Sequence, residues 1–152
     1  MSLRADIYRQ NASAARHRAR QTSDQSIKSA LEYPASLFAR VGEAEKGVGQ
    51  RFEREDGRAV LSIYASENQD ADAPASYLKK NLRQPALDYE RVTSFFFAIS
   101  MERDGTIFYI RCNFSARRSI IHCFDLVYPQ SEKRAWEPVV TRISLSLRPL
   151  ER

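Results

Sequence analysis

The chain has two cysteines, and their spacing raises the question of a disulfide bond. Cys112 and Cys123 lie in consecutive predicted strands, which a short polar turn at residues 115–118 connects. Pairing Cys112 with Ile121 leaves the two thiols diagonal on one face of the sheet, whereas a register shifted by two residues places them directly opposite. A cross-strand disulfide is one alternative, although its geometry is strict and it needs an oxidising compartment. Two reduced, buried thiols are the outcome that we expect.

The histidines offer little for catalysis, because the chain has only His17 and His122. His122 directly precedes Cys123, and neighbouring strand residues point to opposite faces of a sheet. In the register that pairs Cys112 with Ile121, His122 also lies on the face opposite to Cys112. A nucleophile–base pair of cysteine and histidine is therefore excluded, and we interpret His122 as a structural strand residue.

Arginine supplies the second group of candidate residues. Arg111, Arg117, Arg118 and Arg134 are predicted to cluster at one end of a strand meander, where their guanidinium groups could bind an anion or an acidic partner. The competing interpretation, which we favour, is that they are solvated turn residues. The same strands contain one isolated carboxylate, Asp125, which faces Phe108 in the preferred register and would need partners if it were buried.

The other chemistry-bearing residues do not form a recognisable site. Two carboxylate pairs, Glu43 with Glu45 and Glu53 with Glu55, each lie beside basic residues and are typical of surface charge. The chain has no dinucleotide-binding, phosphate-loop, zinc-protease or nucleophile-elbow motif. We therefore predict no catalytic, cofactor-binding or metal-ligating residues, no cofactor, and a protein that is not an enzyme.

The positive charge is concentrated at the beginning of the chain. The net charge is +5, and 24 basic residues stand against 19 acidic ones. Residues 1–32 account for +3 of this charge, whereas the remaining 120 residues are nearly balanced. We predict a flexible or partly helical basic arm at residues 1–26, which could bind nucleic acid or an anionic surface by counterion release. A solvated tail is the interpretation that we favour, since the arm has only one aromatic residue for base stacking, Tyr8.

The sequence leaves the location of the protein undecided between the cytoplasm and the periplasm. Charged residues interrupt the first 20 residues, which excludes a signal peptide in the sequence as it stands, and no apolar run is long enough to cross a bilayer. A native chain would be cytoplasmic. A piece of an exported precursor that lacks its signal peptide, with residues 1–3 as a cloning leader, would be periplasmic.

Periodicity and turn signals predict one domain at residues 27–152. Asp-Gly pairs at 56–57 and 104–105 indicate tight hairpins. Helices are predicted at 74–82, with Pro74 in the first turn, and at 136–147, where Pro138 is compatible only with the first turn. The predicted strands are 51–55, 58–65, 89–101, 106–114 and 119–128. The last three form a meander that is apolar on both faces, so we expect an α+β fold in which helices cover both faces of an antiparallel sheet, an α/β/α sandwich.

This order of elements resembles the PsbP-like fold that is shared with Ran-binding Mog-type proteins. The matching features are Tyr33-Pro34 at the entry, Asp56-Gly57-Arg58 before the second strand, Tyr109 and Tyr128-Pro129 in the meander, and the segment 144–149 at the end. The resemblance covers residues 31–148. It implies a binding or accessory protein, since members include photosystem II extrinsic subunits, bacterial lipoproteins and nuclear-transport factors. The basic arm departs from the signal or lipid-anchor segment of the exported members.

The sequence thus favours a non-catalytic module, of bacterial type, that engages a partner protein. The alternative is a nucleic-acid or anionic-surface binder that uses the arm together with Arg117 and Arg118. An uncharacterised enzyme is the minor alternative, which would need a deep pocket around His122 or several carboxylates. The oligomeric state is left open.

Overall fold

A computed structural model of the protein describes residues 38–82 and 86–147. The predicted basic arm, the domain boundary near residue 27 and the Tyr33-Pro34 entry lie outside the described residues. The described segments contain seven strands and two α-helices. The strands are β1 (Ala39–Glu43), β2 (Val48–Glu53), β3 (Val60–Glu67), β4 (Tyr89–Val92), β5 (Phe96–Arg103), β6 (Thr106–Phe114) and β7 (Ile120–Pro129). The helices are α1 (Pro74–Asn81) and α2 (Lys133–Ser146), and a 3₁₀ turn at Gln130–Glu132 precedes α2.

All seven strands belong to one antiparallel sheet with the order β1-β2-β3-β7-β6-β5-β4. Two meanders, β1 to β3 and β4 to β7, meet where β3 pairs with β7 in the centre. This arrangement leaves β1 and β4 as the two edges. The Asp-Gly pair before β6 forms the tight hairpin that its sequence predicts, since Asp104 and Gly105 both have positive φ, 52° and 75°.

Each face of the sheet has its own apolar cluster. On the side that α2 covers, Trp136, Val139 and Ile143 of the helix pack against the central strands; the buried strand residues there include Phe52, Leu61, Ile63, Phe124, Leu126 and Tyr128. On the side that α1 covers, Leu78 and Tyr77 pack near Phe97. The buried strand residues of this α1 side include Tyr64, Ile99, Cys112, Phe114, Ile121 and Cys123.

The prediction of a helix-covered α/β/α sandwich is wrong. Strands account for 47% of the described chain and helices for 23%. The helices have only 8 and 14 residues, so neither can span a sheet of seven strands. Only the central strands are apolar on both faces, whereas all four residues of the edge strand β4 are exposed. The described part of the chain is therefore a β-rich sheet with one short helix on each side.

The predicted strand at residues 89–101 is two strands in the structure. The backbone N–H of Thr93 donates to the Phe96 carbonyl oxygen at 2.8 Å, which reverses the chain between β4 and β5. The Thr93 hydroxyl also accepts hydrogen bonds from the N–H groups of Phe95 and Phe96, both at 3.1 Å. A threonine side chain that bonds to the following backbone favours such a turn. The continuous apolar run through Phe95 concealed this turn in the sequence.

Helix α2 begins three residues earlier than predicted, so Pro138 lies inside it rather than in its first turn. Proline has no N–H to donate to the carbonyl four residues before, which belongs here to the exposed residue Arg134. Water can satisfy that carbonyl, and an ion pair stabilises the beginning of the helix. Arg54 donates to both carboxylate oxygens of Glu132, at 2.6 and 2.9 Å, and its guanidinium lies 5.7 Å from the Trp136 ring centroid.

Candidate functional site

Two arginines meet over one aromatic ring on the α2 side of the outer strands. The guanidinium carbon of Arg111 lies 3.8 Å from the centroid of the Phe96 ring, and that of Arg91 lies 5.4 Å from it. The three residues belong to β6, β5 and β4. Because Ala98 pairs with Arg91 on one side and with Arg111 on the other, the two arginines flank a methyl group and lean towards Phe96. We call Arg91, Phe96, Ala98 and Arg111 the Arg–Phe surface.

The Arg–Phe surface lies beyond the part of the sheet that α2 covers. Ala98 is nevertheless almost fully buried, because long arginine side chains can cover apolar surface with their aliphatic stems. Asn113 restrains one of them, since its Oδ1 accepts from Arg111 Nε at 3.1 Å. The amide of Asn113 in turn donates to the Leu147 carbonyl oxygen at 2.5 Å. The end of α2 therefore orients the surface through Asn113.

The charges of this surface are not neutralised within the described chain. Among residues 38–82 and 86–147, neither Arg91 nor Arg111 has a carboxylate partner. Aromatic residues extend the surface at its margin, where Tyr89 is exposed and Phe95 is 71% exposed. Unpaired guanidinium groups beside aromatic rings are suited to planar anions such as carboxylates, which they can bind in bidentate fashion.

The arginines that the sequence singled out are not gathered in one patch. Arg117 and Arg118 lie in the turn between β6 and β7, where Arg118 has a positive φ of 57°. Arg134 follows β7 in the first turn of α2, so the ten residues of that strand separate it from the other two by about 33 Å. Only Arg111 is part of the Arg–Phe surface.

The two cysteines form a disulfide, so the expectation of two reduced thiols is wrong. Cys112 and Cys123 pair directly across β6 and β7, with a Cα–Cα distance of 4.1 Å, and both are buried. The preferred register, with Cys112 opposite Ile121, is wrong by two residues. The reason is the turn, in which the Ser115 N–H donates to the Ile120 carbonyl oxygen and leaves four residues, 116–119, in the loop. A two-residue turn would have produced the predicted register.

His122 lies on the α2 side of the sheet, whereas the disulfide lies on the α1 side. The imidazole is 4% exposed, and its Nδ1 has no hydrogen-bond partner among the described residues. Burial disfavours the charged form and lowers the pKa of His122 to about 4. The neutral ring packs between Ala65 and Asn113, its partners on the adjacent strands. Neither of these two partners is a nucleophile or a carboxylate, which agrees with the interpretation of His122 as a structural strand residue.

Asp125 forms the other polar cluster. It pairs with Ile110 rather than with Phe108, which follows from the shifted register. Its carboxylate accepts from the Tyr64 hydroxyl at 2.9 Å and from Lys46 Nζ at 3.4 Å. Burial raises the pKa of Asp125 and also that of Tyr64, whose hydroxyl therefore keeps its proton and acts as a hydrogen-bond donor to the carboxylate. Lys46 is largely exposed, and the cluster holds the β1–β2 turn against the sheet.

A pocket of about 490 Å³ opens on the α1 side, between α1 and the edge strand. Apolar side chains form most of its wall, and Lys79 and Glu90 provide the polar groups. The apolar wall consists of Ala75, Leu78, Leu82, Leu87 and Val92. Because Glu90 and Val92 belong to β4, the pocket and the Arg–Phe surface lie on opposite sides of the same edge strand.

The sequence analysis missed Arg91 and Phe96 as site residues. Their placement depends on the turn at Thr93, which brings β4 beside β5 and aligns Arg91 with Ala98. The available signal was the Thr-Ser pair at residues 93–94, which interrupts an otherwise apolar run. The convergence of Arg91 and Arg111 on Phe96 cannot be predicted until the pairing of β4, β5 and β6 is known.

Comparison with known proteins assigns no family to this arrangement: no family model matches the chain, and no curated protein is significantly similar to it. Within residues 38–82 and 86–147, no group of histidine, cysteine and carboxylate side chains could hold a metal ion. The helices in these segments are all too short or too polar to cross a membrane.

Proposed function

We propose that the chain is a non-catalytic binding module that engages an acidic segment of a partner protein through the Arg–Phe surface. The observation that carries this proposal is the stacking of Arg91 and Arg111 on Phe96 without a carboxylate partner in the described chain. A guanidinium that is held in place but has no carboxylate within the described chain can bind the carboxylate of another molecule.

The energetics favour a ligand that is anionic. A guanidinium stacked on an aromatic ring has already lost much of its rotamer freedom, so less entropy is lost when it binds a carboxylate. The bond from Asn113 adds to this preorganisation of Arg111. The Cys112–Cys123 disulfide favours an oxidising compartment, such as the periplasm, as the place of action.

The test uses a fluorescein-labelled 20-residue poly-L-glutamate as the acidic probe, with fluorescence anisotropy as the measurement. The double variant Arg91→Ser with Arg111→Ser should bind the probe about tenfold more weakly, which corresponds to about 1.4 kcal/mol. The double variant Arg103→Ser with Arg134→Ser is the matched control, because it removes the same charge from two exposed arginines, at the far end of β5 and in the first turn of α2. Equal affinity of the two double variants would contradict the proposal.

A nucleic-acid or anionic-surface binder is the second candidate. The exposed ring of Phe95 supports this second candidate. The Phe95 carbonyl accepts a hydrogen bond from the Phe114 N–H, so Phe95 lies near the turn that follows β6 and contains Arg117 and Arg118. Exposed aromatic rings next to arginines are typical of proteins that bind single-stranded nucleic acid. A labelled 20-nucleotide oligothymidylate, measured with and without residues 1–26, tests this alternative. Salt-dependent binding that Phe95→Ser and removal of the arm both weaken would favour it over the protein partner.

A further inference from the structure

The edge strand β4 has a free side that no described element covers. Each of its four residues, Tyr89 to Val92, is exposed, and within the described chain it pairs with β5 only. A strand at the edge of a sheet presents unpaired N–H and C=O groups and can template pairing with another chain. Proline and bulges protect many natural edge strands, but β4 contains no proline and pairs with β5 in one continuous register. It is a short strand, and its two charged residues, Glu90 and Arg91, would select the charge of an added strand.

The hydrogen-bond pattern shows which backbone groups of β4 are free. Thr93 donates to the Phe96 carbonyl, and Phe114 on the other side of β5 donates to the Phe95 carbonyl, both at 2.8 Å, so the backbone groups of Phe96 face β4 and those of Phe95 face β6. Antiparallel pairs alternate between bonded and non-bonded positions, so Tyr89 and Arg91 direct their N–H and C=O groups towards β5. Glu90 and Val92 consequently direct theirs away from the sheet. Two residues with free donors and acceptors can bind four backbone groups of an added strand.

The side chains of the same two residues line the pocket beside α1. Glu90 and Val92 lie on the α1 side, together with Leu78, Leu82 and Leu87. The side chains of an added strand alternate between the two faces of the sheet. Every second side chain of such a strand would therefore lie at the pocket, whose wall is mainly apolar and whose volume of about 490 Å³ accommodates a branched aliphatic side chain.

The intervening side chains of the added strand would lie beside Arg91 and Tyr89 on the other face. Arg91 has no carboxylate partner in the described segments, and opposite charges on directly paired strands stabilise a sheet. The pocket side requires apolar residues and the Arg–Phe surface requires acidic ones. The two faces of β4 together define a ligand in which acidic and apolar residues alternate.

We propose that β4 binds an extended partner segment of alternating acidic and branched apolar residues as an eighth strand of the sheet. This inference rests on the proposed function and specifies the conformation and the residue pattern of the bound segment. Main-chain hydrogen bonds to Glu90 and Val92 hold the segment, the pocket takes its apolar side chains, and Arg91 pairs with its carboxylates.

The probe is a labelled seven-residue peptide in which glutamate and valine alternate, with glutamate at both ends. Two methylated versions carry N-methyl groups on alternate amides, one version for each of the two sets. Only one set of amides can face β4, so we expect one methylated peptide to bind at least tenfold more weakly and the other to bind nearly as the unmodified peptide does. A peptide with the same composition, but with the glutamates in one block and the valines in another, should also bind at least tenfold more weakly.

A pair of variants tests the same point from the side of the protein. Val92→Pro removes an N–H that faces away from β5 and leaves the β4–β5 bonds intact, whereas Val92→Thr keeps the N–H and the β-branched shape. We expect the proline variant to lose at least tenfold in affinity and the threonine variant to lose less than threefold. Ala75→Phe, which fills the pocket from α1, should weaken the peptide but not poly-L-glutamate.

The outcomes separate this inference from the proposed function. Equal binding of both methylated peptides, with binding still dependent on Arg91 and Arg111, would overturn strand addition and leave the proposed function standing. Binding that neither methylation nor the arginine substitutions change would overturn both. A chain that is dimeric in sedimentation equilibrium, and that Val92→Pro makes monomeric, would show that β4 pairs with a second copy and would also overturn the proposal.

Discussion

Cys112 and Cys123 occupy directly opposite positions on β6 and β7, so that one disulfide joins the two strands next to their shared turn. The bond lies in the α1-side core, where Tyr64 is the neighbour of Cys123 on β3. A cross-link of this kind stabilises chiefly by restricting the unfolded chain, and a loop of this length is worth about 2–3 kcal/mol.

We therefore expect a titration of the denatured, non-reduced protein to find no free thiol. Replacing both cysteines with alanine should lower the free energy of unfolding by about 2–3 kcal/mol in urea denaturation. The reduced wild-type protein is the control, and its stability should lie close to that of the double variant. Two titratable thiols in the non-reduced protein would show that the bond does not form in solution.

Asn113 links the end of α2 to the Arg–Phe surface, and Asn113→Ala should affect both. The substitution leaves the buried Leu147 carbonyl without its donor and releases Arg111, which should cost about 1–3 kcal/mol of stability. Asn81→Ala is the control, because that exposed amide bonds only within α1 and its loss should cost less than about 0.5 kcal/mol. Thermal unfolding measures both variants, and equal losses would refute the link.

The buried histidine should make the protein less stable in mild acid. The pKa of His122 is about 4 in the folded protein and about 6.5 in the unfolded chain, so the unfolded chain binds more protons between these values. Stability should therefore fall as the pH is lowered from 6.5 to 4, by up to about 3 kcal/mol. Asp125 acts in the opposite direction, because burial raises its pKa and favours the protonated folded state.

The variant His122→Gln isolates the contribution of the histidine. Urea denaturation at several pH values between 7 and 4 should give a shallower decline for this variant than for the wild-type protein. Equal slopes would mean that His122 is already charged in the folded state or that its environment is solvated. The comparison of slopes does not depend on the overall loss of stability that the substitution itself causes.

Gly49 on β2 is needed for a close approach of two strands. A Cβ at this position would overlap the carbonyl oxygen of Ile63, which is backbone and cannot rotate away. Gly49→Ala should therefore separate β2 from β3 and cost about 1–3 kcal/mol. Gly42→Ala on β1 is the matched control, since no atom lies within 4 Å of its Cβ position and the change should cost less than about 0.5 kcal/mol. Similar denaturation midpoints for the two variants would contradict this account.

Local signals in the sequence predicted several elements well. Pro74, followed by an amphipathic segment with Lys79 and Lys80 at its end, predicted α1 to within one residue at its C-terminus. The Asp-Gly pair at 104–105 predicted the tight hairpin before β6, where both residues have positive φ. The pair at 56–57 predicted the reversal before β3, but Arg54 donates to the Ala59 carbonyl and the loop has four residues, 55–58, rather than two. These features depend on residues that are close in the sequence, and periodicity is informative there.

The register and the extent of the sheet could not be read in the same way. The choice between Cys112 opposite Ile121 and Cys112 opposite Cys123 depended on whether the turn had two or four loop residues, and both turns have the same composition. The helix cover was overestimated because apolar residues on both faces of β6 were taken to represent the whole sheet. Only the pairing order shows that the edge strand β4 is exposed on both faces.

The sequence by itself determined the strands β3, β6 and β7 to within two residues, the helix at Pro74, the nearly balanced charge of residues 33–152 and the lack of a known catalytic motif, because these follow from residue type and local spacing. The tertiary structure decided that Cys112 meets Cys123, that Arg91 and Arg111 converge on Phe96, and that β4 is a free edge beside a pocket. Each of these depends on which strands become neighbours. Long-range pairing of that kind is set by the packing of the whole sheet rather than by any local preference.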